Sequence, residues 1–229
     1  MSYYSSTYDS PNPLIRYAHR QRLSTAIKLV DISPELHLLD YGCGDGLFLR
    51  ELAARYRCAD RLFGYEPYMK ALPDSQTTIF RDWTAVEENF PPKWPASIVT
   101  CFEVLEHFSP EAQERALVAM KSVLAKDGRA IVSVPIECGL PAVPKNVFRW
   151  LRHGRKQPDV YNLGNIARSI VATPIPACRT GSDYLSHMGF YYRDLEKVFE
   201  KHFSIISRSF SPFPWLGAQF NSQVFYVLV

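Results

Sequence analysis

The stretch from His37 to Gly46 constrains the fold more than any other part of the chain. An apolar run ends in Asp40, and three glycines follow at alternate positions, Gly42, Gly44 and Gly46. The next residues are apolar at helical spacing, so the pattern predicts a strand, a tight loop and a helix. Because glycine has no Cβ, such a loop lets a ligand approach its main-chain N–H groups closely. The stretch therefore predicts a cofactor cradle.

Two details make a dinucleotide the weaker interpretation of this cradle. The third glycine arrives one residue early for Gly-x-Gly-x-x-Gly, since position 47 is Leu47. A carboxylate at Asp40 would repel a pyrophosphate but would accept hydrogen bonds from the loop or from a cationic amine. An NAD-dependent oxidoreductase therefore stays open as an alternative, although the chain lacks an evident acid/base pair for hydride transfer.

Strand-like and helix-like segments alternate from residue 37 to residue 135, which predicts a parallel sheet with helices on both faces. Two further strands, at 203–210 and 223–229, predict an antiparallel hairpin at the sheet edge. The expected fold is therefore α/β with a seven-stranded, mostly parallel sheet. A helix predicted over Leu14–Val30 is expected to pack on the sheet edge, although it could also cover a cofactor.

Acidic side chains stand where the predicted strands end, which is the edge at which open α/β sheets bind ligands. Glu66 ends the second strand, 20 residues past Gly46, a spacing at which a carboxylate reaches a ribose. Asp82 and Trp83 follow the third strand, where an acid can accept from an adenine amine and an indole can shield a ring face. The same pair could equally be a helix cap and a buried anchor. Glu103 ends the fourth strand.

The length of 229 residues favours a single domain over 1–229, in which residues 1–30 form a leader and a helix. Five scattered cysteines without a Cys-x-x-Cys pair indicate reduced thiols. The sequence has neither a signal-peptide pattern nor an apolar run of about 18 residues. We therefore expect a cytoplasmic protein. The net charge of +3 gives no reason to expect nucleic acid as a partner.

Residues 136–186 break the alternation and are too long for an ordinary connection, which predicts an inserted lid or substrate-binding segment. Seven Lys or Arg residues stand against two acids within 138–186. The segment Lys145–Lys156 is basic and amphipathic, so it could contact an anionic membrane peripherally or bind an anionic substrate. The alternative is a solvated helix face over the core. On a helix, the cations of one side would be Lys145, Arg149, Arg152 and Lys156, and the apolar residues of the other would be Val147, Phe148 and Leu151.

The order of these motifs resembles that of class I S-adenosylmethionine-dependent methyltransferases, in particular the type 11/23-like group. The resemblance rests on Asp40–Gly46, on Glu66, on Asp82–Trp83, on Cys101–His107 and on the closing hairpin. It implies a Rossmann-like sheet and S-adenosylmethionine as the cofactor.

The resemblance also implies a role for each motif. Gly42 and Gly44 would lie under the methionine part of the cofactor, Glu66 would bind both ribose hydroxyls, and Asp82 would meet the adenine amine. Asp40 would support the loop and the amino group. The implied cofactor-binding set is Asp40, Tyr41, Gly42, Cys43, Gly44, Glu66, Pro67, Asp82, Trp83, Phe102 and Glu103.

The pattern Glu-x-x-Glu-His at Glu103, Glu106 and His107 resembles two narrower groups, the ubiquinone-pathway O-methyltransferases and the small-RNA 2′-O-methyltransferases. Some of their members use it with a further histidine to hold a divalent metal, and His187 would be that histidine here. The same pattern is common in members without a metal. We therefore expect no metal, with Glu106 and His107 capping and packing the start of a helix.

The expected reaction moves a methyl group in line from a sulfonium to an acceptor, with oxygen as the favoured acceptor atom. The acceptor would be a small molecule, a glycan or a lipid-linked molecule. The candidate catalytic residues, which would take up a proton, are His107, His187 and Glu103. Two alternatives remain open: an RNA 2′-O-methyltransferase with a Glu/His metal site, and a non-catalytic cofactor-binding or membrane-docking module.

Overall fold

The computed structural model describes residues 10–30, 36–68, 77–90, 94–173, 175, 178–179 and 187–229. Residues 1–9 of the predicted leader and residues 180–186 of the predicted insertion lie outside this part of the chain. No helix in the described ranges is long and apolar enough to cross a membrane.

Helices and strands alternate through the first part of the chain, as the pattern predicts. The strands are β1 (Leu38–Tyr41), β2 (Leu62–Tyr65), β3 (Thr78–Phe80), β4 (Ala96–Phe102), β5 (Leu124–Pro135), β6 (Ile205–Ser211) and β7 (Gln223–Leu228). The helices are α1 (Pro13–Leu29), α2 (Leu47–Tyr56), α3 (Trp83–Asn89), α4 (Pro110–Val123), α5 (Ala142–His153), α6 (Leu163–Ile170) and α7 (Tyr192–Phe199).

All seven strands form one sheet in the order β3-β2-β1-β4-β5-β7-β6. The first five strands are parallel, while β7 runs antiparallel to both β5 and β6. The predicted Rossmann-like, seven-stranded, mostly parallel sheet with an antiparallel C-terminal hairpin is therefore confirmed. The last strand of the chain, β7, lies next to β5 inside the sheet, and β6, which precedes it in the chain, forms the edge.

The sheet is covered on both faces because successive side chains of a strand point to opposite sides. Leu38 packs with α1 and α2 on one face, where Leu49 and Leu52 are fully buried. Its neighbour Leu39 packs on the other face with α4 and α7, where Phe199 is fully buried. Because helices cover both faces, a ligand-binding site is expected at the carboxyl edge of the parallel strands.

A short turn connects β4 to α4, and the local sequence determines where this helix starts. Ser109 has extended backbone and its hydroxyl accepts from the Ala112 N–H at 3.3 Å, while Pro110 occupies the first helical position of α4. Both residues favour a helix start. The turn between β4 and α4 contains a 3₁₀ segment at Leu105–His107. Because the start of α4 is fixed, this turn is held at the carboxyl edge of β4.

Candidate functional site

A cavity of about 650 Å³ opens at the carboxyl ends of β1, β2 and β4. Most of the residues predicted to bind a cofactor line it, and two of the three candidate catalytic residues, Glu103 and His107, are among the lining residues: Asp40, Tyr41, Gly42, Cys43, Gly44, Glu66, Pro67, Phe102, Glu103 and His107. Its volume is within the range of small-molecule sites.

The glycine loop needs its glycines for two different reasons. Gly42 has φ of 75°, and a Cβ there would come within 2.4 Å of Val104 Cγ2, so the loop packs tightly against the turn after β4. Gly44 has φ of 55°, but a Cβ there would meet nothing within 4 Å. Gly42 is therefore required for packing, whereas Gly44 leaves bare backbone beside the open cavity.

Asp40 lies beneath the loop and is almost fully buried. Its Oδ1 accepts a hydrogen bond from Thr100 Oγ1 at 2.7 Å. Burial raises the pKa of Asp40 to about 7, although the Thr100 bond acts in the opposite direction. The protein thus keeps a carboxyl group where its charged form is costly, which is typical of a group retained for ligand binding.

Glu66 connects the second strand to the glycine loop. Its Oε2 accepts from the Gly44 N–H at 3.0 Å, and its Oε1 accepts from the Tyr68 N–H at 2.9 Å. Glu66 is buried, and Pro67 and Tyr68 line the same part of the cavity. Each carboxylate oxygen has a second lone pair, so Glu66 can hold the loop and still accept from ligand hydroxyls.

Asp82 and Trp83 do not line the cavity. The Asp82 carboxylate caps α3 by accepting from the Thr84 N–H at 3.1 Å. The Trp83 ring lies 5.6 Å from the Tyr41 ring and 5.1 Å from the Tyr65 ring, measured between centroids. The pair therefore stands behind the aromatic wall of the cavity, and contact with an adenine stays a prediction for both residues.

Glu103 is held in a strained conformation at the end of β4. Its φ is 58°, in the left-handed region that a side chain other than glycine rarely adopts. Its Oε2 lies 3.2 Å from Arg22 Nη1, and its Oε1 accepts from Gln223 Nε2 at 2.6 Å. Strain of this kind concentrates at ligand sites, because surrounding contacts must hold it in place.

Helix α1 covers the cavity with Arg22, Leu23 and Ala26. The expected packing on the sheet edge is present, since α1 contacts the edge strand β6, and the helix also covers the cavity. The ion pair between Arg22 and Glu103 explains the placement, since it joins α1 to the end of β4 across the cavity.

Glu106, His107 and His187 come together beside the cavity, and one ligand atom from each lies within 4.8 Å of the others. The Nε2 atoms of the two histidines are 3.2 Å apart. Burial lowers the pKa of His187 to about 4, so this imidazole is neutral at physiological pH. His187 does not itself line the cavity, whereas His107 does.

The Glu106 side chain is fully buried, and neither carboxylate oxygen has a hydrogen-bond partner among the described residues. Burial, together with the nearby charge of Glu103, raises the pKa of Glu106 well above its usual range. The prediction that Glu106 caps a helix is therefore wrong, since Ser109 caps α4. Glu103 also stands apart from this group, because Arg22 and Gln223 bind its carboxylate.

Glu137 lies just past β5 with only 2% of its surface exposed. Its carboxylate binds Arg149 Nη1 at 2.6 Å and Lys145 Nζ at 3.2 Å, both from α5, and lies 3.9 Å from His187 Nδ1. Burial opposes the charge, but the two cations outweigh it and lower the pKa of Glu137 to about 2. Two of the four cations predicted on the basic side of Lys145–Lys156 thus pair with a buried carboxylate of the protein itself.

Sequence reasoning missed Arg22, Gln223, Glu137 and Arg179. Arg179 donates from Nη1 to the Glu106 carbonyl at 2.6 Å and from Nη2 to the His187 carbonyl at 3.3 Å, which joins the two loops. Glu137 follows a strand end, so the rule that found Glu66 could have found it as well. The other three residues stand in segments whose local pattern carries no sign of the site.

A family model described as a methyltransferase domain matches residues 15–169 of the chain. No curated protein matches the sequence.

Several solved structures have a similar fold at low sequence identity. Magnesium protoporphyrin IX methyltransferase from Synechocystis PCC 6803 with bound S-adenosylhomocysteine is 16% identical with a TM-score of 0.55, and covers 95% of this chain and 87% of its own. A cyclopropane synthase from Mycobacterium tuberculosis is 13% identical with a TM-score of 0.54, covering 96% and 87%. The methyltransferase domain of a bacterial Hen1 protein is 18% identical with a TM-score of 0.52, covering 93% and 99%.

Proposed function

The chain belongs to the methyltransferase-domain family and depends on S-adenosylmethionine, and from this premise we propose that it methylates an oxygen of a small-molecule, glycan or lipid-linked acceptor. The bound cofactor supplies an electrophilic methyl group on a sulfonium. The protein must hold that cofactor, exclude water and place the acceptor oxygen in line with the sulfur.

The observation that carries the proposal is the position of Glu66 beneath the bare backbone at Gly44. The Gly44 N–H donates to Glu66 Oε2 at 3.0 Å, and both residues line a cavity that Asp40 and Glu103 also reach. With Asp45, four carboxyl groups line this cavity, and they suit a ligand that carries both positive charge and hydroxyl groups. A pyrophosphate would be repelled by the same arrangement.

His107 is the candidate residue to take the proton from the acceptor. It lines the cavity, and the neutral His187 lies 3.2 Å away to share the proton, measured between Nε2 atoms. Glu103 is the weaker base, because both of its oxygens already bind Arg22 and Gln223. We assign Glu103 a positioning role instead.

Calorimetric titration with S-adenosylmethionine, S-adenosylhomocysteine and NAD tests the cofactor site. The Glu66→Ala variant should bind S-adenosylmethionine about 100-fold more weakly, because hydrogen bonds to a charged group contribute roughly 1.5–3 kcal/mol each. Glu51→Ala is the matched control, since Glu51 is an exposed carboxylate on α2. Unchanged affinity in Glu66→Ala would remove this residue from the site, and binding of NAD alone would overturn the whole proposal.

A metal-assisted methyl transfer, such as RNA 2′-O-methylation, is the second candidate function. The observation that favours it is the buried Glu106 carboxylate, which has no hydrogen-bond partner in the described ranges and faces His107 and His187. Two imidazoles and a carboxylate form a donor set that suits a first-row divalent metal, so these residues fit such an ion. Held there, the metal would polarise the acceptor hydroxyl.

Titration of the protein with Mn²⁺ separates the two candidates. Under metal-assisted transfer, Mn²⁺ should bind the native protein and should lose about 10-fold or more in affinity in Glu106→Gln, which removes the anionic ligand. Glu111→Gln is the control, because Glu111 is an exposed carboxylate in the first turn of α4. Equal Mn²⁺ titrations in all three proteins would rule the second candidate out.

A further inference from the structure

Helix α5 has polar side chains on the face that it turns towards the protein. The side chains that face the protein are spaced at helical intervals and include Asn146, which is fully buried, and Arg149, which binds Glu137. Asn146 Nδ2 donates to Ser169 Oγ at 3.0 Å, and Asn146 Oδ1 accepts from Arg149 Nη1 at 2.9 Å. The inward face of α5 therefore combines polar contacts with apolar ones, since Val147 and Trp150 pack against the buried apolar cluster of Ile166, Ile175, Cys178 and Met188.

The outward face of α5 carries the large apolar side chains instead. Phe148 is 60% exposed and Leu151 is 72% exposed, although both lie on a well-formed helix. Arg152, in the last turn of α5, is also exposed, and so are Arg155 and Lys156 in the turn that follows the helix. We name these residues, Phe148, Leu151, Arg152, Arg155 and Lys156, the docking face.

Helix α6 also combines buried polar side chains with an exposed apolar one, although its Ile166 is buried. Asn165 and Ser169 face inward, where the Asn165 amide donates to the Asp159 and Val160 carbonyls at 2.9 Å each. Leu163, at the start of the same helix, is 62% exposed. The inserted segment thus buries some of its apolar side chains together with hydrogen-bonding groups, and it leaves other large apolar side chains in contact with solvent.

Charge decides which partner suits the docking face. Arg152, Arg155 and Lys156 form no ion pair with any residue that the structure describes. In a two-fold dimer through this face, the same cations of two copies would meet and repel each other. An anionic lipid surface instead complements the cations and takes up the apolar side chains between its headgroups.

We propose that the docking face binds peripherally to an anionic lipid membrane. Helix α5 is fastened through Glu137 to the end of β5, which is the edge of the sheet where the cavity opens. Docking through α5 therefore brings the cavity close to the lipid surface. This inference deepens the proposed function and rests on it, because the protein would meet a lipid-linked acceptor at a lipid surface.

Sedimentation with lipid vesicles tests the proposal on the full chain. The protein should bind vesicles of equal parts phosphatidylglycerol and phosphatidylcholine and should not bind phosphatidylcholine alone. The double variant Phe148→Ser/Leu151→Ser should lose about 10-fold or more in vesicle affinity, since two large apolar anchors are removed. The double variant Arg152→Glu/Arg155→Glu should lose at least as much, and the binding of the native protein should weaken as salt is added.

Matched controls are available elsewhere on the surface. Ile206→Ser removes an apolar side chain that is 62% exposed on β6, and Lys126→Glu reverses an exposed cation, so neither should change vesicle binding. Vesicle binding that is equal in the native protein and in both docking-face variants would overturn the proposal. A dimer that Phe148→Ser/Leu151→Ser abolishes, without vesicle binding by the native protein, would assign the face to a second copy.

The lipid proposal and the methyl-transfer proposal fail separately. Calorimetry with S-adenosylmethionine should give the same affinity for the native protein and for both docking-face variants, because none of the altered residues lines the cavity. Cofactor binding without vesicle binding would overturn only the docking inference. Vesicle binding without cofactor binding would overturn only the proposed function.

Discussion

Asp40 is a cavity residue whose charged form is disfavoured by burial. It has one described side-chain hydrogen bond, from Thr100, and burial raises its pKa to about 7. The pKa of an unfolded aspartate is near 3.9. Because the folded protein holds this proton more tightly than the unfolded chain does, Asp40 destabilises the fold progressively as the pH rises from about 4 to about 7.

The Asp40→Asn variant should therefore be more stable than the native protein at pH 8, by about 2 kcal/mol, and the gap should close as the pH falls towards 4. The amide oxygen still accepts from Thr100, so the fold is retained. The same variant should bind S-adenosylmethionine about 10-fold more weakly, because a charged hydrogen-bond partner is lost. Urea denaturation at several pH values and calorimetry measure the two effects, and a variant that is less stable at pH 8 would contradict this account.

Among the secondary-structure elements, α5 is attached to the end of β5 by a buried ion cluster. Glu137 binds Lys145 and Arg149 and has almost no exposed surface, so the three residues connect the inserted helix to the sheet. Lys145 Nζ also donates to the Ile136 carbonyl at 3.0 Å. The cluster thereby fixes which side of α5 faces the sheet, and it leaves Phe148 and Leu151 exposed.

The Glu137→Gln variant should lose about 3 kcal/mol of unfolding free energy, because two cations are left without their buried counter-charge. Glu114→Gln is the control: its pair with Lys201 lies at the surface with a distance of 3.0 Å, and its loss should change stability little. Urea denaturation followed by circular dichroism compares the variants. Equal stability of Glu137→Gln and the native protein would show that this cluster does not hold α5.

The whole molecule is organised around the cavity, which draws residues from the N-terminal helix, from three parallel strands and from β7. Ligand binding at such a site should stabilise the fold as a unit. At 100 times its dissociation constant, S-adenosylhomocysteine should add about 2.7 kcal/mol and raise Tm by about 5–10 °C. NAD at the same concentration should leave Tm unchanged. Differential scanning calorimetry measures both, and a larger shift with NAD would contradict the assigned cofactor.

Much of the fold followed from local patterns. Alternating strand and helix periods predicted the parallel sheet, and the residues at strand ends predicted Asp40, Glu66 and Glu103 at one cavity. The alternate glycines predicted the loop, and Gly42 and Gly44 have the positive φ values that only glycine adopts easily. Each strand end and the glycine loop are local patterns, and parallel strands bring their carboxyl ends to one edge of a sheet, so the sequence determined these features.

Contacts between distant residues were decided only by the tertiary structure. His107 and His187 meet although 80 residues separate them, and Arg22 reaches across the cavity to Glu103. The periodicity of Lys145–Lys156 placed four cations on one side, but it could not predict their separate environments: Glu137 binds Lys145 and Arg149, whereas Arg152 and Lys156 are exposed. An amphipathic pattern specifies which residues share a face. Which face is buried depends on the charges and apolar groups that the rest of the fold brings against it.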